Sequence, residues 1–167
     1  PAMGSMLYAR QVPPVGGDTL FSSMTLAFEA LSDGMKKTLL GLNAWHSSRH
    51  AFGYGVSDSE HYEDGRLANP ELAVQDALHP VIITHPLSGK KALYVNADFT
   101  VRFDGWTIEE SQPLLDFLYA HGAREEFTCR FEWQEGSIAL WDNRATWHNA
   151  MNDYHGHRRV MHRITLE

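Results

Sequence analysis

The sequence is poor in cysteine, in positive charge and in long apolar runs. Cys129 is the single cysteine, which excludes an internal disulfide and predicts a reducing compartment such as the cytoplasm. No apolar run approaches the roughly 20 residues of a membrane span, and the first five residues show no charged leader, so neither a membrane segment nor a signal peptide is expected. The 14 Lys and Arg against 21 Asp and Glu give a net charge of −7, which argues against nucleic acid and acidic membranes as partners.

Short segments of alternating apolar and polar residues are frequent. Phe127, Cys129, Phe131 and Trp133 alternate with polar residues, a pattern typical of a half-buried strand. Other predicted strands are Met6–Val12, Thr19–Phe21, Asn43–His50, His79–Pro86, Ala92–Asn96, Gly136–Asn143 and Arg158–Leu166. Many strands with few helices indicate a mainly β fold, a sandwich or jelly roll with flanking helices. The length fits a single domain over residues 1–167.

Three helices and one long polar stretch complete the predicted elements. The first two helices are Met24–Leu31 and Gly34–Leu42. Ser32 is placed to cap the second, and Thr107-Ile108-Glu109-Glu110 forms a capping box that opens the third. Pro113 is expected to disturb this third helix, because it lies beyond the first turn. Residues 53–77 are polar, and a loop of this length predicts a lid over a site.

The last predicted strand carries two arginines on one face. Because side chains alternate along a strand, Arg159 and Arg163 point to the same side, about 13 Å apart. If that side is the interior, each guanidinium needs an anionic partner, and the planar fork of arginine suits carboxylates and sulfonates. Two arginines then fit two anions in one cavity. The alternative is an edge strand whose arginines are both solvated.

His148 follows the strand that contains Trp141. An imidazole held near the end of a buried strand is a suitable ligand for iron or zinc. A structural role for a lone histidine is the alternative that this pattern leaves open. A cluster of His148, His155, His157 and His162 also allows a zinc hydrolase, although no His-Glu-x-x-His spacing supports one.

Ordered motifs run through most of the chain. They include Val12-Pro13-Pro14-Val15-Gly16-Gly17-Asp18-Thr19-Leu20-Phe21, His79-Pro80-Val81, Thr84-His85-Pro86, Ser88-Gly89-Lys90, Trp141-Asp142-Asn143-Arg144, His148, Asp153-Tyr154 and Arg158-Arg159-Val160-Met161-His162-Arg163. In this order and spacing they resemble the C-terminal portion of taurine dioxygenase and its relatives. That group is the TauD/TfdA-like family of Fe(II)- and 2-oxoglutarate-dependent dioxygenases, and the resemblance is weakest between residues 54 and 77.

The resemblance implies a double-stranded β-helix (jelly roll), incomplete at the N-terminus, and a role for three residues toward the cofactors. His148 corresponds to the distal histidine of a two-histidine, one-carboxylate iron site, and is therefore the expected metal ligand and catalytic residue. Arg159 and Thr19 correspond to the groups that hold the far carboxylate of the co-substrate 2-oxoglutarate.

The resemblance also implies a pocket for a small anionic organic substrate. Arg163 corresponds to the arginine that holds the anionic head of that substrate, while Phe52 and Phe99 correspond to aromatic positions of the pocket. The implied reaction hydroxylates a sulfonate such as taurine, an alkyl sulfate or an aryloxy-alkanoate with O2, and releases succinate and CO2. A homo-oligomer is the default expectation for such an enzyme.

The family's remaining iron ligands, a His-x-Asp pair, precede the segment that matches the start of this chain. The pair is absent from the sequence, so the chain is expected to be a C-terminal portion. His61-Tyr62-Glu63 has suitable chemistry, but it lies in the polar stretch and is a poor substitute. The alternative function is therefore a non-catalytic jelly-roll module that binds anions, or an inactive fragment.

Overall fold

The computed structural model describes residues 2–49 and 74–167, and this part of the chain is mainly β. The strands are β1 (Gly4–Gln11), β2 (Thr19–Ser23), β3 (Asn43–Ser47), β4 (Asp76–Pro80), β5 (Ile82–Thr84), β6 (Lys91–Leu93), β7 (Thr100–Phe103), β8 (Thr128–Phe131), β9 (Ile138–Asp142), β10 (Thr146–Ala150) and β11 (Val160–Leu166). The helices are α1 (Met24–Glu29), α2 (Asp33–Leu39) and α3 (Ile108–Gly122), with a 3-10 turn at Glu125–Phe127. The predicted class, mainly β with few helices, is confirmed.

The strands form small sheets whose orders are β11-β1-β9, β10-β2-β8, β4-β3-β7 and β5-β6. Residue contacts divide the elements into two compact units. Unit 1 contains Pro1–Leu31, Ile83–Leu93 and His121–Glu167, and unit 2 contains the described parts of Ser32–Ile82 and Tyr94–Ala120. Because each unit is assembled from separate stretches, neither is a contiguous segment, and the single domain over residues 1–167 stays a prediction.

Two antiparallel sheets of unit 1 pack against each other through aromatic side chains. Sheet β11-β1-β9 contributes Ala9, Ala139 and Trp141 to a buried cluster, which also contains Trp133. Phe21, from sheet β10-β2-β8, has its ring centroid 5.2 Å from that of Trp141. The alternation of buried and exposed residues along β9 follows from this packing, since one face of the strand meets the second sheet and the other meets solvent.

Strand β11 lies at the edge of its described sheet, where it pairs with β1. Its register places Arg163 opposite Leu7 and Met161 opposite Ala9, on the face that packs against the aromatic cluster. Ile164 lies on the other face and is exposed. The alternative of an edge strand is therefore correct in its position. Its consequence, that both arginines are solvated, holds for Arg163, which is exposed, but not for Arg159, which is half-buried.

The core of unit 2 forms around α3 and β7. Ser111, Leu115 and Leu118 are buried at helical spacing, and the Ser111 hydroxyl accepts a hydrogen bond of 3.0 Å from the backbone N–H of Phe103. Ile108, the first residue of α3, is exposed. The disturbance expected at Pro113 is wrong, because α3 continues through it to Gly122. Packing of the leucines outweighs the one hydrogen bond that proline removes.

Strand β4 corrects the limits of the predicted loop. Residues 53–73 lie outside the described part of the chain, but Asp76 and Ala77 belong to β4 and pair with β3. The Ser47 hydroxyl donates to the Asp76 carboxylate at 2.6 Å, so cross-strand pairing overrides the local polarity. Strand β3 ends at Ser47, three residues before its predicted end. Among the described residues, no helix has the length and apolarity required to cross a bilayer.

Candidate anion and metal site

The turn before β2 approaches the side chain of Arg159 closely. Gly16 and Gly17 both have left-handed backbone conformations, with φ of 79° and 75°. The Gly17 N–H donates to the Asp153 carboxylate at 2.7 Å, and the Gly17 carbonyl accepts a hydrogen bond of 3.0 Å from Arg159 Nε. The glycines permit this geometry because left-handed φ is strained for other residues. Asp153 therefore fixes the turn that holds Arg159.

Two aromatic rings surround the guanidinium of Arg159. Its Cζ lies 5.8 Å from the ring centroid of Trp133 and 5.9 Å from that of Tyr154. Burial lowers the pKa of this guanidinium from its ordinary value. Its Nη2 is buried and has no hydrogen-bond partner in the described part of the chain. A buried donor of this kind is costly unless an anion binds it, so the pocket suits a carboxylate.

Thr19 contacts the same indole as Arg159. Its side chain is 2% exposed, and its Oγ1 accepts a hydrogen bond of 3.0 Å from Trp133 Nε1. The structure therefore brings together the two residues that sequence reasoning assigned to 2-oxoglutarate, with Thr19 at the indole N–H of Trp133 and Arg159 over its ring. A guanidinium and a hydroxyl are suitable donors to one carboxylate.

Arg163 lies along the inner face of β11. Its Nη2 donates to the Ser5 hydroxyl at 3.0 Å, and its Cζ lies 5.9 Å from the ring centroid of Trp141. The guanidinium is thus oriented by a neutral hydroxyl and a ring. Its remaining donors suit an anionic head group.

His148 lies within β10, a strand that sequence reasoning did not predict, rather than after a strand end. It pairs with Phe21 of β2, and its ring centroid lies 4.9 Å from that of Trp141. The aromatic cluster is continuous, because Phe21 also contacts Phe131, which contacts Trp133. His148, Arg163, Thr19 and Arg159 consequently border one row of four rings: Trp141, Phe21, Phe131 and Trp133.

The turn that leads into β10 is braced by an ion pair. The Asp142 carboxylate accepts hydrogen bonds from Arg144 Nε at 2.9 Å and from His85 Nε2 at 2.8 Å. Because His85 Nδ1 accepts the Ser88 N–H, Nε2 of that ring carries the proton. The Arg144 guanidinium and then His85 hold the pKa of Asp142 well below its usual range. The contacts of Asp142 with Arg144 and His85 therefore hold the start of the strand that carries His148.

The described residues provide one candidate iron ligand. No group of three or more His, Cys, Asp or Glu side chains in the described ranges is arranged to hold a metal ion. His155, His157 and His162 are exposed, so the described structure does not support the zinc cluster. The imidazole of His148 fits Fe(II) chemically.

Neither aromatic position assigned to the substrate pocket is among the described residues of unit 1. Phe52 lies outside the described residues. Phe99 belongs to unit 2, where its side chain is half-buried, its N–H donates to Asn96 Oδ1 at 2.9 Å and its carbonyl accepts from the Ser47 N–H at 2.8 Å. The substrate role of both residues stays a prediction.

Unit 2 contains a buried histidine that sequence reasoning did not single out. His46 is 8% exposed, and its ring lies 5.3 Å from that of His79 and 5.6 Å from that of Tyr94. Thr100 Oγ1 lies 3.4 Å from its Nδ1, while its Nε2 is buried without a hydrogen-bond partner in the described residues. Burial, and then the charge of His79, lower the pKa of His46 to about 4.

Sequence reasoning missed several residues that shape the anion site. Trp133, Gly17 and Tyr154 contact Arg159, and Ser5 contacts Arg163. Gly17 and Tyr154 lie in motifs that carried the family resemblance, so those motifs were the available signal. Nothing in the local pattern marked Ser5 or Trp133, because their contacts come from distant segments.

Comparison with known proteins identifies the family. The model of the family described as "Taurine catabolism dioxygenase TauD, TfdA family" matches residues 1–165. The chain belongs to this family.

Similar curated proteins include dioxygenases and an alkylsulfatase. The chain is 37% identical over 155 residues to an alpha-ketoglutarate-dependent dioxygenase, cnsM, of Penicillium expansum, covering 92% of the chain and 42% of that protein. It is 37% identical over 163 residues to an alkylsulfatase of Acinetobacter baylyi, covering 97% and 51%. The chain thus spans about half the length of these relatives.

Solved structures show the same similarity. A taurine dioxygenase from Burkholderia xenovorans superposes with a TM-score of 0.82 at 35% identity, over 99% of this chain and 52% of that one. The fold of the described chain therefore matches the corresponding half of a taurine dioxygenase.

Proposed function

We propose that this chain supplies the 2-oxoglutarate anchor and one iron ligand of an Fe(II)- and 2-oxoglutarate-dependent dioxygenase with a jelly-roll catalytic domain. In this proposal Arg159 and Thr19 bind the far carboxylate of 2-oxoglutarate, and His148 is a metal ligand. Arg163 binds the anionic group of the prime substrate, and Phe52 and Phe99 line its pocket.

The guanidinium of half-buried Arg159 is the observation that carries the proposal. Its Nη2 is buried and has no hydrogen-bond partner among the described residues, and the group contacts a backbone carbonyl and two rings. A buried N–H without a hydrogen-bond partner costs about 1–3 kcal/mol of stability. Binding of a dicarboxylate removes that cost, which supports an anion as the natural occupant.

Each residue has a distinct part in the chemistry. Bound Fe(II) would supply the activation of O2 with 2-oxoglutarate as reductant, giving succinate, CO2 and a hydroxylated product. His148 would hold the metal, and Arg159 and Thr19 would orient the co-substrate. Arg163 would place the substrate beside the metal without ligating it, while the aromatic row excludes water.

The first experiment measures 2-oxoglutarate binding by titration calorimetry on the full chain. Arg159→Ala should weaken binding about 10- to 100-fold, since it removes charge-assisted hydrogen bonds from a buried site. The matched control is Arg124→Ala, because Arg124 is an exposed arginine paired with Glu126. Unchanged affinity in Arg159→Ala would contradict the proposal.

A non-catalytic anion-binding module is the second candidate, and the single candidate iron ligand in the described chain favours it. The two functions differ in their response to metal. A dioxygenase site should bind 2-oxoglutarate more tightly with Fe(II), and His148→Ala should remove that gain together with succinate formation. Affinity that is independent of Fe(II) would favour the binding module.

The substrate class is a small organic anion in this proposal. Similar proteins are named for alkyl sulfate, sulfate ester and 2,4-dichlorophenoxyacetate chemistry, and each of these compounds offers an anion to Arg163. Taurine and other sulfonates, alkyl sulfates and aryloxy-alkanoates are the compounds to test. A lid within residues 53–75, a cytoplasmic location and a homo-oligomer complete the proposal.

A further inference from the structure

We infer that Trp133 is a positioning residue for the far carboxylate of 2-oxoglutarate, acting through both Thr19 and Arg159. This inference rests on the proposed function and extends it to a residue outside the expected ligand set. It assigns one task to the indole N–H and a separate task to the ring face.

The indole N–H determines how the Thr19 hydroxyl is used. Trp133 Nε1 lies 3.0 Å from Thr19 Oγ1, and the two residues are 8% and 2% exposed. An indole nitrogen only donates, so Thr19 Oγ1 must be the acceptor in this contact. The hydroxyl proton is then left to donate elsewhere, which orients Thr19 as a donor toward a bound anion.

The ring face of the same side chain supports Arg159. The guanidinium carbon lies 5.8 Å from the Trp133 centroid, and Nε is held by the Gly17 carbonyl at 3.0 Å. Aromatic rings attract a cation through their face. Because its Nε is bonded to the backbone and the ring limits its plane, Arg159 presents Nη2 as the donor that has no partner in the described part of the chain.

Packing holds the Trp133 side chain in place, so Trp133 can in turn hold the Thr19 hydroxyl and the Arg159 guanidinium in fixed orientations. Its ring meets Phe131 edge-on with centroids 4.7 Å apart. It also belongs to the buried cluster with Ala9, Ala139 and Trp141. A side chain locked in a core has little rotational freedom. The hydroxyl and the guanidinium are therefore ordered before the anion arrives, which lowers the entropic cost of binding.

The experiment separates the N–H from the ring. Trp133→Phe keeps an aromatic face beside Arg159 but removes the donor to Thr19, whereas Trp133→Leu removes both. With 2-oxoglutarate as the titrant, Trp133→Phe should weaken binding about three- to tenfold, and Trp133→Leu by a further factor of a few. Trp45→Phe is the matched control, because it also loses an indole hydrogen bond, to exposed Asp104, and it should leave affinity unchanged.

A double-mutant cycle tests whether Trp133→Phe acts through Thr19. In the Thr19→Val background the further change Trp133→Phe should have almost no effect, because the hydroxyl it orients is gone. In the Thr19→Ser background, which keeps a hydroxyl, the effect should return. Additive losses in the valine background would overturn the inference.

A spectroscopic signature covers the case in which Trp133→Phe fails to fold. The Nε1–H resonance of Trp133 in a nitrogen–proton correlation spectrum should move upfield and exchange faster with solvent in Thr19→Val, but not in Thr19→Ser. An unchanged resonance in Thr19→Val would contradict the hydrogen bond. Wild-type chain that does not bind 2-oxoglutarate overturns the proposed function and this inference together, whereas normal binding in Trp133→Phe overturns this inference alone.

Discussion

The close approach of Gly17 to Arg159 depends on the absence of a side chain. A Cβ at position 17 would lie 3.0 Å from Arg159 Cδ and 3.1 Å from Pro13 Cγ. The residue also has φ of 75°, in the left-handed region. At the scale of single residues, any side chain at position 17 would therefore meet two separate costs, backbone strain and steric crowding.

Gly17→Ala should lower the free energy of unfolding by about 2–3 kcal/mol, measured by urea denaturation. Of this, about 1 kcal/mol comes from the left-handed backbone, and the rest from crowding against Arg159. The variant should also bind 2-oxoglutarate more weakly, because Arg159 is displaced.

Gly136→Ala is the control that separates these costs. Gly136 has φ of 86°, but a Cβ there would meet nothing within 4 Å. It should lose only about 1 kcal/mol and bind 2-oxoglutarate normally. Equal losses in the two variants would show that crowding against Arg159 contributes nothing.

At the scale of elements, α3 shows how a capped N-terminus compensates for a proline in the helix interior. The Thr107 N–H donates to Glu110 Oε2 at 2.9 Å, and the Glu110 N–H donates to Thr107 Oγ1 at 3.2 Å. This reciprocal pair is the capping box expected from the sequence. Buried Leu115 and Leu118 then hold the helix beyond Pro113.

Thr107→Ala should destabilise the fold by about 1 kcal/mol, because it removes the acceptor for an otherwise unpaired helical N–H. Thr38→Ala is a suitable comparison in α2. The Thr38 hydroxyl donates to the Gly34 carbonyl within an exposed helix, and its loss should be close to neutral. Chemical denaturation of both variants measures the difference, and an equally neutral Thr107→Ala would show that the capping box is not needed for α3.

At the scale of the whole molecule, the buried histidines couple stability to pH. His46 has a pKa near 4, below its ordinary value of 6.5, and burial also lowers the pKa of His79. Between about pH 4 and pH 6.5, the imidazole of His46 therefore binds a proton in the unfolded chain but not in the folded chain. The stability of the fold should therefore fall as the pH drops from about 6.5 to about 4.

His46→Leu should remove most of this pH dependence, which is about 2–3 kcal/mol between pH 7 and pH 4.5. Urea denaturation at the two pH values gives the difference directly. His155→Gln, a change to an exposed histidine, should keep the wild-type difference. If His46→Leu also retains the wild-type difference between the two pH values, groups other than His46 cause the acid sensitivity.

The sequence by itself determined the mainly β class, the helix caps and the family, but not every strand, since β7 and β10 were not predicted. The alternation predicted from Phe127 to Trp133 is wrong at Cys129, which is exposed, and at Phe127, which lies in the 3-10 turn. The Ser32 and Thr107 caps are local signals, because each acts within four residues of itself. The pairing of Arg159 and Arg163 on one face is also local, since it follows from strand geometry alone.

Only the tertiary structure decided what those residues touch. Arg159 contacts Gly17, 142 positions away, and Trp133 contacts Thr19, 114 positions away. His46 is buried because strands and side chains from other segments surround it. Local pattern carries no information about such contacts, because they depend on how two packed sheets fill the space between them. The sequence therefore identifies the arginines and the histidine, whereas packing leaves the Nη2 of Arg159 buried without a partner in the described residues.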